Sequence, residues 1–454
     1  MSDTIAAVST PIASGGIGVI RISGDDAIAV ADKAFRATSG KALSSLKGYS
    51  AAHGRVHMQG EDIDECVALV FRAPKSYTGE NTVEISCHGG IYVTNQVLRA
   101  VLSAGARPAE AGEFTKRAFL NGKMDLSEAE AVMSLISAQG QQGMRAAMTA
   151  LDGALSRKTG ELCSALISAS AHMAAWVDYP DEEIPEISDG ALRETLSQVK
   201  AQLTALLSGF DAGKALTSGV DTAIVGKPNV GKSALMNMLS GFSRSIVTDI
   251  AGTTRDVVEE TVRVGSVILR LADTAGIRES ADVVESIGVD LAKTKIERAG
   301  LILAVFDGSR ELDESDKEIF ELCRGRDVIA IVNKTDLPSK TDIDYIKHAF
   351  SETVFVSAKS HEGEKELTAA IEKVLGTDKI DTSKAMLTTE RQRANALSAL
   401  QSIDDAIAAI DMGITMDAVN VCIDTAIDRL LELTGKKAKE SVVDEVFSQF
   451  CVGK

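Results

Sequence analysis

A chain of 454 residues is long enough for two to four domains, and with 45% hydrophobic and 25% charged residues it reads as a globular protein with sizeable cores. A formal net charge of −17 argues against non-specific nucleic-acid binding, so any RNA contact must be local or helped by a partner. Six scattered cysteines (Cys66, Cys87, Cys163, Cys323, Cys422, Cys451) with no C-x-x-C pair argue against a disulfide scaffold or zinc site, and the start of the chain lacks the basic and apolar regions of a signal peptide. No apolar run approaches the ~20 residues of a membrane span, so a cytoplasmic protein without membrane contact is the expectation.

Residues 1–117 read as an α/β or α+β unit. Strands are expected at Gly18–Ser23, Cys66–Phe71 and Thr82–Ser86, and helices at Asp25–Phe35 and Ile91–Ser103. Gly15-Gly16-Ile17-Gly18 precedes a strand instead of opening a helix, so a tight turn is expected there and not a dinucleotide site. His88 ends a strand with no carboxylate close in sequence, which favours a structural role over a catalytic one.

From 118 to 214 the apolar period becomes helical, and Ser127-x-x-Glu130 has the form of a capping box. Helical character continues to Met173 and again over Leu192–Leu207; six carboxylates between Asp178 and Asp189 read as a solvated loop. It returns after residue 378, over Arg391–Ile410 and Met416–Leu433, with Gly435 as the C-cap. One helical domain (118–214 and 379–454), split by an inserted domain at 215–378, accounts for this pattern.

The inserted segment carries the chemistry. A short apolar run, Thr222–Val225, leads into Gly226-Lys227-Pro228-Asn229-Val230-Gly231-Lys232-Ser233 and then a helical stretch. In that context G-x-x-x-x-G-K-S turns backbone N–H groups onto phosphates, Lys232 reaches the β- and γ-phosphates, and the Ser233 hydroxyl ligates Mg²⁺. Gly252-Thr253-Thr254-Arg255-Asp256 reads as a switch that orders around Mg²⁺ through Thr254. The run Val267–Ala272 ends in Asp273-Thr274-Ala275-Gly276, an outer Mg²⁺ ligand followed by a γ-phosphate donor. A further strand, Val328–Val332, leads into Asn333-Lys334-Thr335-Asp336, where a carboxylate can accept two donors of guanine that adenine lacks, and the Lys334 stem can lie along the purine. Val354–Val356 runs into Ser357-Ala358-Lys359, whose backbone N–H can meet guanine O6. Five motifs in order, each at the end of an apolar strand, predict a doubly wound P-loop GTP-binding domain. From its residue types alone, the terminal Phe450-Cys451-Val452-Gly453-Lys454 reads as a frayed end.

With these motifs in place, the whole chain resembles the MnmE (formerly TrmE) family of tRNA-modification GTPases. The resemblance rests on Gly18–Gly24, Gly112–Lys123, Asp125-Leu126 and the terminal Cys-Val-Gly-Lys, as well as on the P-loop. It implies an N-terminal folate-binding and dimerisation domain, a helical domain and the inserted GTPase domain. It also implies a homodimer that joins a flavin-dependent partner of the MnmG/GidA family, carrying FAD, in a heterotetramer. Together they would place an aminomethyl-type group on C5 of the wobble uridine of certain tRNAs, using a tetrahydrofolate one-carbon unit (5-formyl or 5,10-methylene). Arg21, Glu84, Lys123 and Lys454 would hold the folate, and Cys451 would take part in modification. The nucleotide contacts would run over Asn229, Val230, Gly231, Lys232, Ser233 and Ala234; over Thr248, Asp249, Ile250, Ala251, Gly252, Thr253 and Thr254; and over Asp273 to Gly276, Asn333, Lys334, Asp336, Ser357, Ala358 and Lys359. Ile277 stands where Ras-like enzymes carry a water-orienting glutamine. The resemblance assigns that task to Glu285, and places K⁺ beside Asn229 with oxygens from Thr248, Ile250 and Thr253. A ribosome-assembly or RNA-binding GTPase is the alternative, disfavoured by the absence of a second P-loop or a basic G-x-x-G module; a membrane-remodelling GTPase lacks its basic amphipathic helix.

Overall fold

In the computed structural model, which describes residues 3–178, 189–241, 260–271, 296–297 and 299–454, the chain opens with β1 (Ile5–Val8), β2 (Ile17–Ser23), α1 (Ala27–Ala34), β3 (Phe35–Ala37), β4 (Ser50–Met58), β5 (Glu61–Phe71), β6 (Thr82–His88), α2 (Ile91–Ser103), β7 (Arg107–Pro108) and α3 (Glu113–Leu120). Helices α4 (Leu126–Ser137), α5 (Gln141–Leu151), α6 (Ala154–Asp178), α7 (Asp189–Ser208) and α8 (Phe210–Ser218) follow. Next come β8 (Val220–Val225), α9 (Lys232–Gly241), β9 (Glu260–Val264), β10 (Val267–Leu271), β11 (Leu301–Asp307), α10 (Glu314–Leu322), β12 (Val328–Asn333), α11 (Ile343–Ala349), β13 (Thr353–Phe355) and α12 (Glu364–Val374). The chain closes with α13 (Glu390–Asp411), α14 (Met416–Thr434) and α15 (Glu440–Ser448). Among the described residues one compact unit takes the chain up to Met133 together with Leu431–Lys454, and a second takes Ser134–Leu430.

The first unit is built on a seven-stranded sheet in the order β3-β4-β5-β6-β2-β1-β7, antiparallel except where β1 meets β7. Its strands alternate: Ile20, Ile22, Ala68, Val70, Val83 and Ile85 are buried in one core with Ala27, Ala31, Val97 and Val101 of α1 and α2. The opposite face carries Arg21 directly across from Glu84. The Gly15-Gly16 stretch is not a tight turn. Gly15 N–H donates to Gly89 O at 3.0 Å and Gly89 N–H to Gly16 O at 3.4 Å. A Cβ at Gly89 would stand 2.6 Å from Gly15 O, so close backbone approach is what requires glycine there.

One further expectation is corrected in this unit. The cap of α4 is Asp125, not Ser127: Asp125 Oδ1 accepts the Glu128 N–H at 3.0 Å and Glu128 Oε2 accepts the Asp125 N–H at 2.8 Å. The D-x-x-E box begins two residues before the S-x-x-E that the sequence suggests, and Ser127 Oγ serves it by donating to Asp125 at 2.7 Å. The carboxylate that faces His88 is not close in sequence: Asp64 stands 24 positions earlier in the chain. Asp64 accepts the His88 backbone N–H at 2.8 Å and contacts ring Nδ1 at 2.7 Å, raising the imidazole pKa above its ordinary value. The raised value means that this contact stabilises the fold below about pH 6.5, the unfolded pKa, and loses that contribution as pH rises through the folded pKa. Asp64→Asn is expected to move the His88 titration downward when followed by NMR; an unmoved titration would exclude Asp64 as the cause.

The C-terminal tail is likewise not frayed. Phe114 N–H donates to Lys454 O at 3.2 Å, and Gly112 N–H to Cys451 O at 3.4 Å. Ser9 Oγ donates to Gly453 O at 3.1 Å, and Val452 bridges Ala111. Gly453 holds φ at 97°, with its Cα turned onto the Val8 carbonyl so closely that a Cβ would collide with it.

The second unit contains a six-stranded sheet, β13-β12-β11-β8-β10-β9, parallel except for the antiparallel edge strand β9. Residues of β11 and β12 are buried along their whole length, as unbroken apolar runs covered on both faces require. In the same unit α7 is tied to α13 by Lys200–Asp404 at 2.6 Å and Arg193–Asp411 at 2.8 Å. Strand order reverses at β8, with β10 on one side and β11 on the other. The crevice at its C-terminal end is where an open α/β sheet binds ligands.

Candidate functional site

Strand β8 delivers Gly226 into that crevice. The loop alternates its backbone conformation, with φ of 154° at Gly226, 65° at Asn229 and 103° at Gly231. Asparagine is among the few side-chain-bearing residues that tolerate the left-handed region. Val230 is buried and anchors the loop from below, while Asn229 and Ser233 are exposed. Lys232, on the first turn of α9, arches back so that Nζ donates to Gly226 O at 2.6 Å and Lys227 O at 2.7 Å. Burial pulls its pKa below the usual lysine value. Lys227 points the other way, into Asp313 at 2.7 Å and Asp316 at 2.6 Å at the capped start of α10.

The end of β12 forms the second wall. Buried Asn333 donates from Nδ2 to Val230 O at 2.8 Å and accepts the Ala358 N–H at 3.0 Å. It therefore ties the phosphate loop to the Ser357-Ala358-Lys359 turn. A Cβ at Gly231 would collide with the Asn333 amide, which explains glycine there independently of its φ. Within the Ser357-Ala358-Lys359 turn, the Ala358 N–H is directed at Asn333. Asp336 Oδ1 accepts Ser357 Oγ at 2.8 Å, which fixes the carboxylate and leaves its other oxygen for a ligand. Lys334, at φ 66°, donates from Nζ to Asn229 O at 2.8 Å and to Asp307 Oδ2 at 2.6 Å. Asp307 is a residue that motif reading missed. It closes the apolar run Leu301–Phe306 at the same sheet edge as the other motifs, a position visible in the sequence. Thr248, Asp249, Ile250, Ala251, Gly252, Thr253, Thr254, Asp273, Thr274, Ala275, Gly276, Ile277 and Glu285 lie outside the described residues.

A second cluster sits in the first unit. The Arg21 guanidinium reaches Glu84 at 2.8 Å and lies 5.2 Å from the Tyr77 ring centroid and 5.7 Å from that of Phe114. Its Nη1 is buried with no hydrogen-bond partner, a donor that a ligand acceptor would satisfy. Half-buried Lys454 joins them electrostatically: burial and then Arg21 lower its pKa, and Glu84 opposes the shift. Lys123 is exposed and donates to Pro74 O at 3.1 Å, and the Cys451 side chain is exposed. A separate cavity of about 650 Å³, between α3 and α15, has Arg107, Lys116 and Arg117 in its lining, each already paired with carboxylates. Among the described residues, no helix is long and apolar enough to cross a membrane and no His, Cys, Asp or Glu cluster could hold a metal ion.

A phosphate loop at the switch point of a mainly parallel sheet, a lysine folded over it and an Asn-Lys-x-Asp wall define a P-loop GTPase. Residues 4–123 match the family described as "GTP-binding protein TrmE N-terminus", and residues 126–451 match "MnmE helical domain". Curated relatives named "tRNA modification GTPase MnmE" extend over the full chain. That of Bacillus velezensis is 43% identical, covering 100% of both chains. That of Geobacillus thermodenitrificans is 43% identical over 100% of this chain and 99% of its own, and that of Bacillus subtilis 42% identical over 100% of both. The chain belongs to the MnmE family.

Proposed function

We propose that the protein hydrolyses GTP in the service of tRNA modification, adding an aminomethyl or carboxymethylaminomethyl group to C5 of uridine 34 with a flavin-dependent partner. The observation that carries this reading is one chain holding two chemically distinct sites: the braced phosphate loop with Asp336, and the Arg21–Glu84–Lys454 cluster with its orphaned guanidinium nitrogen. Full-length similarity to proteins named for tRNA modification supports it. In this reading residues 1–117 bind folate and dimerise, and 215–378 form the GTPase domain inserted into a helical domain at 118–214 and 379–454. The working form is a cytoplasmic homodimer joined to an FAD-carrying partner.

The residues suit the groups they would hold. Lys232 is a cation already directed over the loop, and Ser233 offers a free-facing hydroxyl to Mg²⁺. Asn229 offers an exposed amide oxygen to K⁺. At the folate site a carboxylate and a guanidinium match the donor and acceptor edge of a pterin, and the Tyr77 and Phe114 rings give it a stacking surface. Such a folate derivative would supply the one-carbon unit, and this chain's part is to bind and orient it. Exposed Cys451 is the thiol nearest the tail's lysine in sequence.

Calorimetry with 5-formyltetrahydrofolate and the nucleotide-free protein tests the folate half. Saturable binding is expected, weakened by deletion of Lys454 and also by Gly453→Ala, which cannot keep φ at 97° beside Val8. Absence of heat and of competition would sink it. Wobble-position sequencing of tRNA from a deletion strain tests the whole: unmodified uridine 34 is expected, and normal modification would reject the assignment.

A further inference from the structure

We propose that Asp307 is a positioning residue for guanine-nucleotide binding: it fixes Lys334 and, through Lys334, couples the base pocket to the phosphate loop. The inference rests on the GTP-binding reading above. Asp307 ends β11 in register with Asn333 at the end of β12. Its side chain is only 5% exposed, so it must be fully partnered, and its two oxygens divide the work. Oδ1 accepts from Ser309 N–H at 3.0 Å and Ser309 Oγ at 2.6 Å, which sets the rotation of the carboxylate. Oδ2 faces Lys334 Nζ at 2.6 Å, with Arg310 Nε more distant at 3.6 Å. Asp307's main-chain carbonyl accepts Thr341 Oγ1 at 2.7 Å, so the backbone carrying it is pinned as well.

The consequence falls on Lys334. A lysine stem is flexible, and leaving it unanchored beside a ligand costs binding the entropy of ordering it. Here Nζ is stretched between Asp307 and the Asn229 carbonyl, at 2.6 and 2.8 Å, which extends the methylenes into a fixed wall. The same ammonium holds the Asn229 peptide in its left-handed conformation. Asp307 also neutralises Lys334, so this lysine acts as an apolar wall and a strut, and not as a second phosphate ligand. Burial pushes the Asp307 carboxyl up, but the hydrogen bonds from Lys334 and Ser309 outweigh it and hold the group ionised.

The test is the release rate of a fluorescent guanosine diphosphate from the full chain, for Asp307→Asn, Lys334→Met, the double variant and the milder Ser309→Ala. Loss of a charge-assisted anchor should speed release about tenfold or more in Asp307→Asn, and several-fold in Ser309→Ala. The double variant should release no faster than Lys334→Met alone, because Asp307 acts only through that lysine. A merely structural Asp307 would instead lower the melting temperature and add its effect to that of Lys334→Met. Should Asp307→Asn fail to fold, the comparison of Ser309→Ala with Ser309→Ala/Lys334→Met carries the same logic. Wild-type release rates in Asp307→Asn and Ser309→Ala, or additive effects, overturn the proposal while leaving GTP binding intact. A wild-type chain that binds no guanine nucleotide overturns both.

Discussion

Asp336→Asn is expected to weaken GTP binding by ~2–4 kcal/mol, the scale of a charged acceptor serving two donors, or roughly 30- to 1000-fold in Kd. Asp336 is already held by Ser357 Oγ at 2.8 Å, so the wild-type pocket spends little on ordering its carboxylate. The amide of asparagine replaces one acceptor with a donor that faces the guanine amino group, adding repulsion to the loss. Xanthosine triphosphate carries an oxygen at that position and should bind the variant better than GTP does. Titration of nucleotide into wild type and variant checks both parts. Unchanged GTP affinity would remove Asp336 from base recognition.

GTP turnover is expected to be much faster in KCl than in NaCl at equal ionic strength. Ile277 cannot orient water, and a GTPase that lacks both that glutamine and an arginine finger is slow unless something else neutralises the transition state. An arginine finger supplies ~10³–10⁵ in rate, roughly 4–7 kcal/mol, and a substitute of comparable size must act at the phosphates. Asn229 stands at the loop with its side chain exposed and its peptide held by Lys334. Asn229→Ala should abolish the difference between the two salts. Because Asn229 sits at φ 65°, Asn229→Gly is the cleaner variant: it removes the amide without forcing alanine into the left-handed region. Glu285→Ala should keep GTP binding and lose hydrolysis, and turnover should rise with dimerisation of the GTPase segments. Equal rates in Na⁺ and K⁺ at saturating GTP and Mg²⁺ would reject the cation mechanism.

What the amino-acid sequence determined by itself was the apolar strands that lead into its motifs, β8 and β12 among them, and the residues that follow those strands. Fully buried strands need unbroken apolar runs, and β11 and β12 have them. A phosphate loop needs glycine at fixed spacing, and Gly226 and Gly231 supply it. These requirements are local, so they are legible one residue after another. Tertiary structure alone decided the contacts that join distant positions. Asp64 finds His88 because β5 and β6 pair in space. The tail closes against Ala111, Gly112 and Phe114 through backbone contacts, which every sequence can make and no residue type announces, with Gly453 packed on the Val8 carbonyl. Asp307 belongs to no motif in the sequence, and only parallel pairing of β11 with β12 sets it beside Lys334. A side chain's partners are fixed by which strands become neighbours, and that is a property of the packed sheet.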